Sequence, residues 1–222
     1  MTAPEGARPR TGRLPRDARR AQLLDSALDV FVAQGYHAAA MDDIAERAGV
    51  SKPVLYQHFP GKLDLYLALL DTACDRVVAE VREALASTTD NKERVAATTE
   101  AFYAYVADPG GAFRLVFESD LTSEPAVRER VDKVTMLCAE AIAEVIADDT
   151  GFPGEVSRLL AVALVGMSQV SARFWLSTPD NTLERSEAVQ LISSLAWRGI
   201  RGFPATSEPG PARDDRAPSR SI

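Results

Sequence analysis

Cysteine and histidine are scarce in this 222-residue chain: Cys74 and Cys138 are its two cysteines, and His37 and His58 its two histidines. Two thiols so far apart give neither a disulfide framework nor a paired metal-ligand spacing, and they read as small core residues. The H-E-x-x-H, G-x-S-x-G, phosphate-loop and dinucleotide glycine patterns are also missing. Adjacent carboxylates such as Asp42-Asp43 and Asp148-Asp149 point in different directions on a helix and make poor acid–base partners. No catalytic, metal or cofactor site is therefore expected, and the chain does not read as an enzyme. Long apolar runs are lacking too. The most apolar one, Leu159 to Met167, is bounded by Arg158 and by Ser168 and Gln169, well short of the roughly 20 residues that span a bilayer. No membrane span is expected. The first 20 residues hold arginines but no apolar signal core, which together with the low cysteine content reads as cytoplasmic.

Basic charge is in deficit, with 25 Lys and Arg against 32 Asp and Glu, for a net charge of -7. Its placement matters more than its total. Residues 1–20 carry six arginines against Glu5 and Asp17, whereas the surplus of acid lies beyond residue 62. An acidic average does not exclude nucleic-acid binding, which depends on the field of one surface, but it does exclude a uniformly basic, sequence-blind coat.

Both ends, 1–16 and 204–222, are rich in proline and lack apolar periodicity; they read as a disordered basic arm and a disordered tail. Between them apolar residues recur at three and four, with no alternating strand pattern, so the fold class is all-α. The spacing predicts helices at 17–34, 41–48, 52–58, 62–86, 91–107, 111–120, 124–148, 154–177 and 183–201. The first three, within 17–62, are separated by Gly35 and Gly49 and joined by short connections. Those in 63–203 are longer and amphipathic, with an acidic polar face.

The small N-terminal module carries the chemistry. Leu24, Leu28, Phe31 and Val32 form an apolar stripe that Gly35 ends. Asp42 and Asp43 suit the first turn of a second helix, and Gly49 stops it. Ser51 is placed as an N-cap, with Lys52 and Pro53 in the first turn of a third helix whose Leu55 and Phe59 face inward. That turns Lys52, Pro53, Val54, Tyr56, Gln57 and His58 outward, on a helix short enough to enter a duplex major groove. Lysine and glutamine donors there suit guanine and adenine edges.

The run G35-Y-H-A-A-A-M-D-D-I-A-E-R-A-G-V-S-K-P-V-L-Y-Q-H-F-P-G-K62 resembles the DNA-binding domain of TetR-family transcriptional regulators, over about 45 residues from Arg19 to Leu65. The resemblance implies an N-terminal three-helix helix-turn-helix domain followed by a larger helical ligand-binding and dimerisation domain. It further implies a homodimer on a palindromic operator, most simply a repressor acting by occlusion, with a small-molecule effector that changes the spacing of the two reading helices. Carried over by position, Lys52, Pro53 and Gln57 lie nearest the bases, while Ser51, Tyr56, His58 and Lys62 hold phosphates. Ala39 and Ala40 depart from the family, since a Thr or Ser commonly caps the second helix there and touches a phosphate. Arg8, Arg10, Arg13 and Arg16 are expected to replace that contact.

Beyond Lys62 the residues are less specific. Phe102, Tyr105, Phe113, Phe117, Met136 and Met167 are candidates for an effector pocket, with Arg173 as a polar anchor, and Asp108-Pro-Gly-Gly111 is a natural hinge. Segment 154–177 is apolar around nearly its whole circumference and so needs cover on two sides. Ala163 and Gly166 would let a second copy approach closely, and 183–201, with Leu191, Ile192, Leu195 and Trp197, would complete a four-helix interface. A helical interaction or scaffold protein with a degenerate helix-turn-helix is the alternative; it leaves the outward set of Lys52, Tyr56, Gln57 and His58 without a purpose.

Overall fold

The structure is a computed structural model that describes residues 14–108, 110–117, 121, 123–178 and 182–200. Among these it is all-α, with α1 (Arg16–Ala38), α2 (Met41–Arg47), α3 (Lys52–His58), α4 (Lys62–Ala86), α5 (Asn91–Val106), α6 (Ala112–Phe117), α7 (Pro125–Thr150), α8 (Gly154–Ser177) and α9 (Arg185–Ile200). The expected tail and most of the basic arm, including Arg8, Arg10 and Arg13, lie outside the described residues. Arg16, expected in the arm, opens α1 and is exposed there. The last residues of the helix expected at 111–120 also fall outside them.

The chain divides into two compact units. Among the described residues, one comprises 14–73 together with 110–117, 121 and 123–127; the other comprises 74–108, 128–178 and 182–200. This differs from the expected boundary after Lys62: α6 and the first three turns of α4 belong with the helix-turn-helix.

In the first unit, the helix of 17–34 continues to Ala38 only by way of a break at Gly35, whose φ of 76° and ψ of 165° lie outside helical geometry. The core face of α1 is Leu23, Ala27, Val30 and Phe31, while Leu24, Leu28 and Val32 are half-buried. The expected stripe is thus displaced by one residue, because α1 packs against α2 on one side and α6 on the other. Gly111, at φ 70°, precedes α6 and lies so close to Val32 that a Cβ there would sit 2.9 Å from both its γ-carbons. Phe31, Tyr36 and Tyr66 form an aromatic cluster, with Tyr66 edge-on to both others at 5.2 Å. The Tyr66 hydroxyl donates to the Leu115 carbonyl at 3.4 Å, tying α4 to α6.

In the second unit, α5 lies against both α8 and α9, which also touch each other. Asp90 caps α5 by accepting from the Glu93 amide at 2.9 Å. Small side chains on the inner rows, Ala161, Val165 and Ala172 of α8 and Ala188, Val189 and Ala196 of α9, are buried. The Tyr103 hydroxyl reaches Ser171 Oγ at 2.9 Å and Trp175 Nε1 donates to the Leu183 carbonyl at 2.8 Å. Burial pushes the Tyr103 hydroxyl above its ordinary range, and the Ser171 bond partly offsets this. Cys74 and Cys138 are both buried, and burial lifts Cys138 from 9.0 to about 11.

By length and composition alone α8 is apolar enough to cross a membrane, since Ser168 and Gln169 interrupt its apolar run without greatly lowering the average of the whole helix. Its contacts with α5 and α9 are those of a helix in a bundle.

Candidate nucleic-acid interface

The site is built on the turn between α2 and α3. The Val50 amide donates to the Ala45 carbonyl and the Gly49 amide to that of Glu46, both at 3.0 Å, while Gly49 takes φ 64°. Those two bonds make a Schellman motif, in which glycine occupies the left-handed position without a Cβ penalty. The turn is fixed to α1 by Gln22 Nε2, which donates to the Ala48 carbonyl at 2.9 Å. Arg47 pairs with Asp29 at 2.6 Å, and the guanidinium of Arg20 lies 4.4 Å over the Phe59 ring.

Leu55 and Phe59 are buried on the inner side of α3. Ser51, Lys52, Pro53, Tyr56 and Gln57 are exposed together, and His58 is half-buried beside them. Tyr56 leaves 46% of its surface open, unusual for so large a ring. Six of the seven expected contact residues therefore lie together within residues 51–58. Ser51 has the backbone position of an N-cap, but its hydroxyl makes no capping bond. The reason is local: Pro53 has no amide to offer, and the Val54 amide goes to the Ser51 carbonyl at 3.0 Å.

Two features were not foreseen. Lys52 Nζ donates to Asp42 Oδ2 at 2.5 Å, in an exposed pair that raises the lysine's pKa chiefly through that hydrogen bond and then through the carboxylate's charge. The clue available in the sequence was that Asp42 and Lys52 open successive helices joined by a tight turn. The second feature is Lys62, whose ammonium donates to the carbonyls of Tyr36 at 2.8 Å, Ala39 at 2.9 Å and His37 at 3.3 Å, and lies 4.5 Å over the Tyr36 ring. It is thus engaged in the fold and does not stand with the α3 residues. His37 is exposed, its ring edge-on to Tyr36 at 5.6 Å. As expected from alanines at 39 and 40, α2 has no side-chain cap.

The residues expected to form an effector pocket are divided between the two units. Phe113 and Phe117, 5.0 Å apart, lie in the first unit. Phe102, Tyr105, Met136, Met167 and Arg173 lie in the second. Met136 is exposed, because it shares the outer row of α7 with Asp132, Lys133 and Glu140. Arg173 is exposed beside Val170 and Phe174 on the open side of α8. A recess of about 570 Å³ in the second unit is lined by residues including Arg76, Glu80, Tyr105, Asp108 and Arg185, and of the seven candidates only Tyr105 reaches it. Arg76 is held there by Glu80 at 2.8 Å and Asp108 at 2.7 Å. Burial is the main cause that drives the Tyr105 hydroxyl far above its ordinary range.

Residues 23–69 match the family model described as bacterial regulatory proteins, tetR family. Over 203 residues the chain is 47% identical to the HTH-type transcriptional activator FasR of Mycolicibacterium smegmatis, covering 91% of this chain and 92% of that protein. A crystal structure of a TetR-like transcriptional regulator from Rhodococcus sp. RHA1 is similar at 30% identity and a TM-score of 0.61, over 86% of this chain and all of that one. The fold is likewise that of FadR from Bacillus subtilis, solved in complex with stearoyl-CoA, at 18% identity and a TM-score of 0.67, over 81% of this chain and 98% of that one.

Proposed function

Because the chain belongs to the tetR family of bacterial regulatory proteins and is a DNA-binding regulator of transcription, we propose that it acts in the cytoplasm as a homodimer on a palindromic operator and answers to a small-molecule effector. The observation that carries this reading is the joint exposure of Ser51, Lys52, Pro53, Tyr56 and Gln57, with His58 at their edge, on a helix whose other side is buried. Lys52 and Gln57 read base edges; Ser51, Tyr56 and His58 hold phosphates, which position the helix without reading sequence.

The second copy docks on α8 and α9. Leu159, Val170 and Phe174 of α8 are about 70% exposed, at 70%, 68% and 72%, and Leu191 and Leu195 of α9 are 56% and 59% exposed. Ala163 is exposed beside them, and a Cβ added at Gly166 would meet nothing within 4 Å. Two adjacent helices with an open apolar face are self-complementary across a two-fold axis, which is also the symmetry of a palindrome.

Repression by occlusion needs only a dimer and a site. A relative that spans most of the chain at 47% identity is an activator, and we take activation as the sign of regulation here. The effector belongs to the second unit, and a long-chain acyl-CoA, the kind of molecule that FadR of Bacillus subtilis holds, is the first to try. The experiment captures promoter fragments from the host's own sheared DNA and transcribes them in vitro with and without the protein, while sedimentation counts chains per duplex. Two chains per fragment and transcription raised by the protein are expected. A single chain per duplex refutes the dimeric reading, and lowered transcription restores repression.

A further inference from the structure

Lys62 is the first residue of α4, where a cation is disfavoured by the positive end of the helix dipole. Its position is explained by what it touches. α1 breaks at Gly35 and ends at Ala38, and the extended Ala39 and Ala40 cross to α2 without a side chain that caps it. The carbonyls of Tyr36 and His37 in the last turn of α1, and that of Ala39 after it, all accept from Lys62. An ammonium has three N–H donors, so these bonds use its full complement, with the Tyr36 ring 4.5 Å away on the same cation. A phosphate could be held only by giving up one of these bonds.

We propose that Lys62 is a positioning residue and not a phosphate contact. It fastens the α1–α2 connection to the first turn of α4, so that the helix-turn-helix and the start of α4 move together. Tyr66, one turn later on α4, adds its ring to Phe31 and Tyr36 and its hydroxyl to Leu115. The start of α4 is thereby held to both α1 and α6. The positioning role of Lys62 rests on the DNA-binding reading above.

The test compares wild type, Lys62→Arg and Lys62→Met for affinity to a selected operator across salt concentrations, each variant first checked for helicity by circular dichroism. Arginine keeps the charge, but its planar fork cannot cap three converging carbonyls. Both variants are expected to lose about tenfold or more in affinity while keeping the wild-type salt slope. They should also lose hydrogen-exchange protection at residues 39–44. The idea is overturned if Lys62→Arg binds like wild type while Lys62→Met has a slope shallower by about 0.9 per lost phosphate contact. A measurement on the unaltered protein stands beside this. The Lys62 ammonium should give a slowly exchanging ¹⁵N signal without DNA; a signal seen only on adding DNA would overturn the clamp. That arm remains decisive even if the wild type binds no duplex, which would instead sink the DNA-binding reading.

Discussion

Lys52 meets its own counter-ion on the outer side of the helix-turn-helix, so Asp42 stands where a duplex would bring phosphates. An exposed pair of this kind contributes little to folding. Asp42→Asn is therefore expected to leave the melting temperature nearly unchanged and to tighten binding to every duplex by about fivefold, as about 1 kcal/mol of screened repulsion is removed. Fluorescence anisotropy on matched and scrambled duplexes checks this, and weaker binding would show that Asp42 instead helps to place Lys52. Gln57→Ala should cost about 1–3 kcal/mol on the operator and relax one position in each half-site, whereas Tyr56→Ala should weaken all sequences alike. Cys138 bears on stability. Its folded pKa is raised by burial, so its contribution is fully present below 9.0 and is lost as pH rises through about 11. Wild type should lose stability over that window more steeply than Cys138→Ala in chemical denaturation; parallel curves would mean the thiol is hydrated. The outward set on α3 was legible because it is local, fixed by the spacing of Leu55 and Phe59. The role of Lys62 was not, since its partners are main-chain carbonyls 23 to 26 residues away, which no side-chain pattern records.

Elements were legible in proportion to their punctuation. Gly49 marked the α2–α3 turn and forms its Schellman bond pattern, and Gly35 marked the end of regular α1. The division inside α4, between Ala73 and Cys74, was not legible, because an uninterrupted amphipathic helix carries no break at the place where its neighbours change. Nor was the docking of α6 on α1, which depends on Gly111 meeting Val32. Gly111→Ala places a methyl group against that side chain on a backbone of positive φ, and should cost about 2 kcal/mol or more in urea unfolding. Adding Val32→Ala should recover the steric part; no recovery would mean that the backbone strain dominates. On α8, Phe174→Glu and Leu159→Glu should each yield a monomer by sedimentation. Operator affinity should then fall by about a hundredfold, as the second half-site is no longer held close to the first. A dimer that survives both would place the interface elsewhere.

For the molecule as a whole, an all-α chain with an N-terminal helix-turn-helix could be read from the residues, whereas the lining of any one recess could not. Pocket residues come from several helices whose mutual placement no single helix encodes, and Met136 and Arg173 face outward for reasons of register. The net charge of -7 also makes the basic and hydrogen-bonding groups of one small surface responsible for binding a polyanion. The most direct test of that surface is selection of bound sequences from a random duplex pool at fixed salt, with wild type and Gln57→Ala in parallel. Wild type should enrich a palindrome whose half-sites lie about one helical turn, or a multiple of it, apart, and Gln57→Ala should lose preference at one symmetric pair of positions. A folded, dimeric protein that enriches no motif, or a Gln57→Ala motif identical to that of wild type, would contradict the assignment of α3 as the reading element.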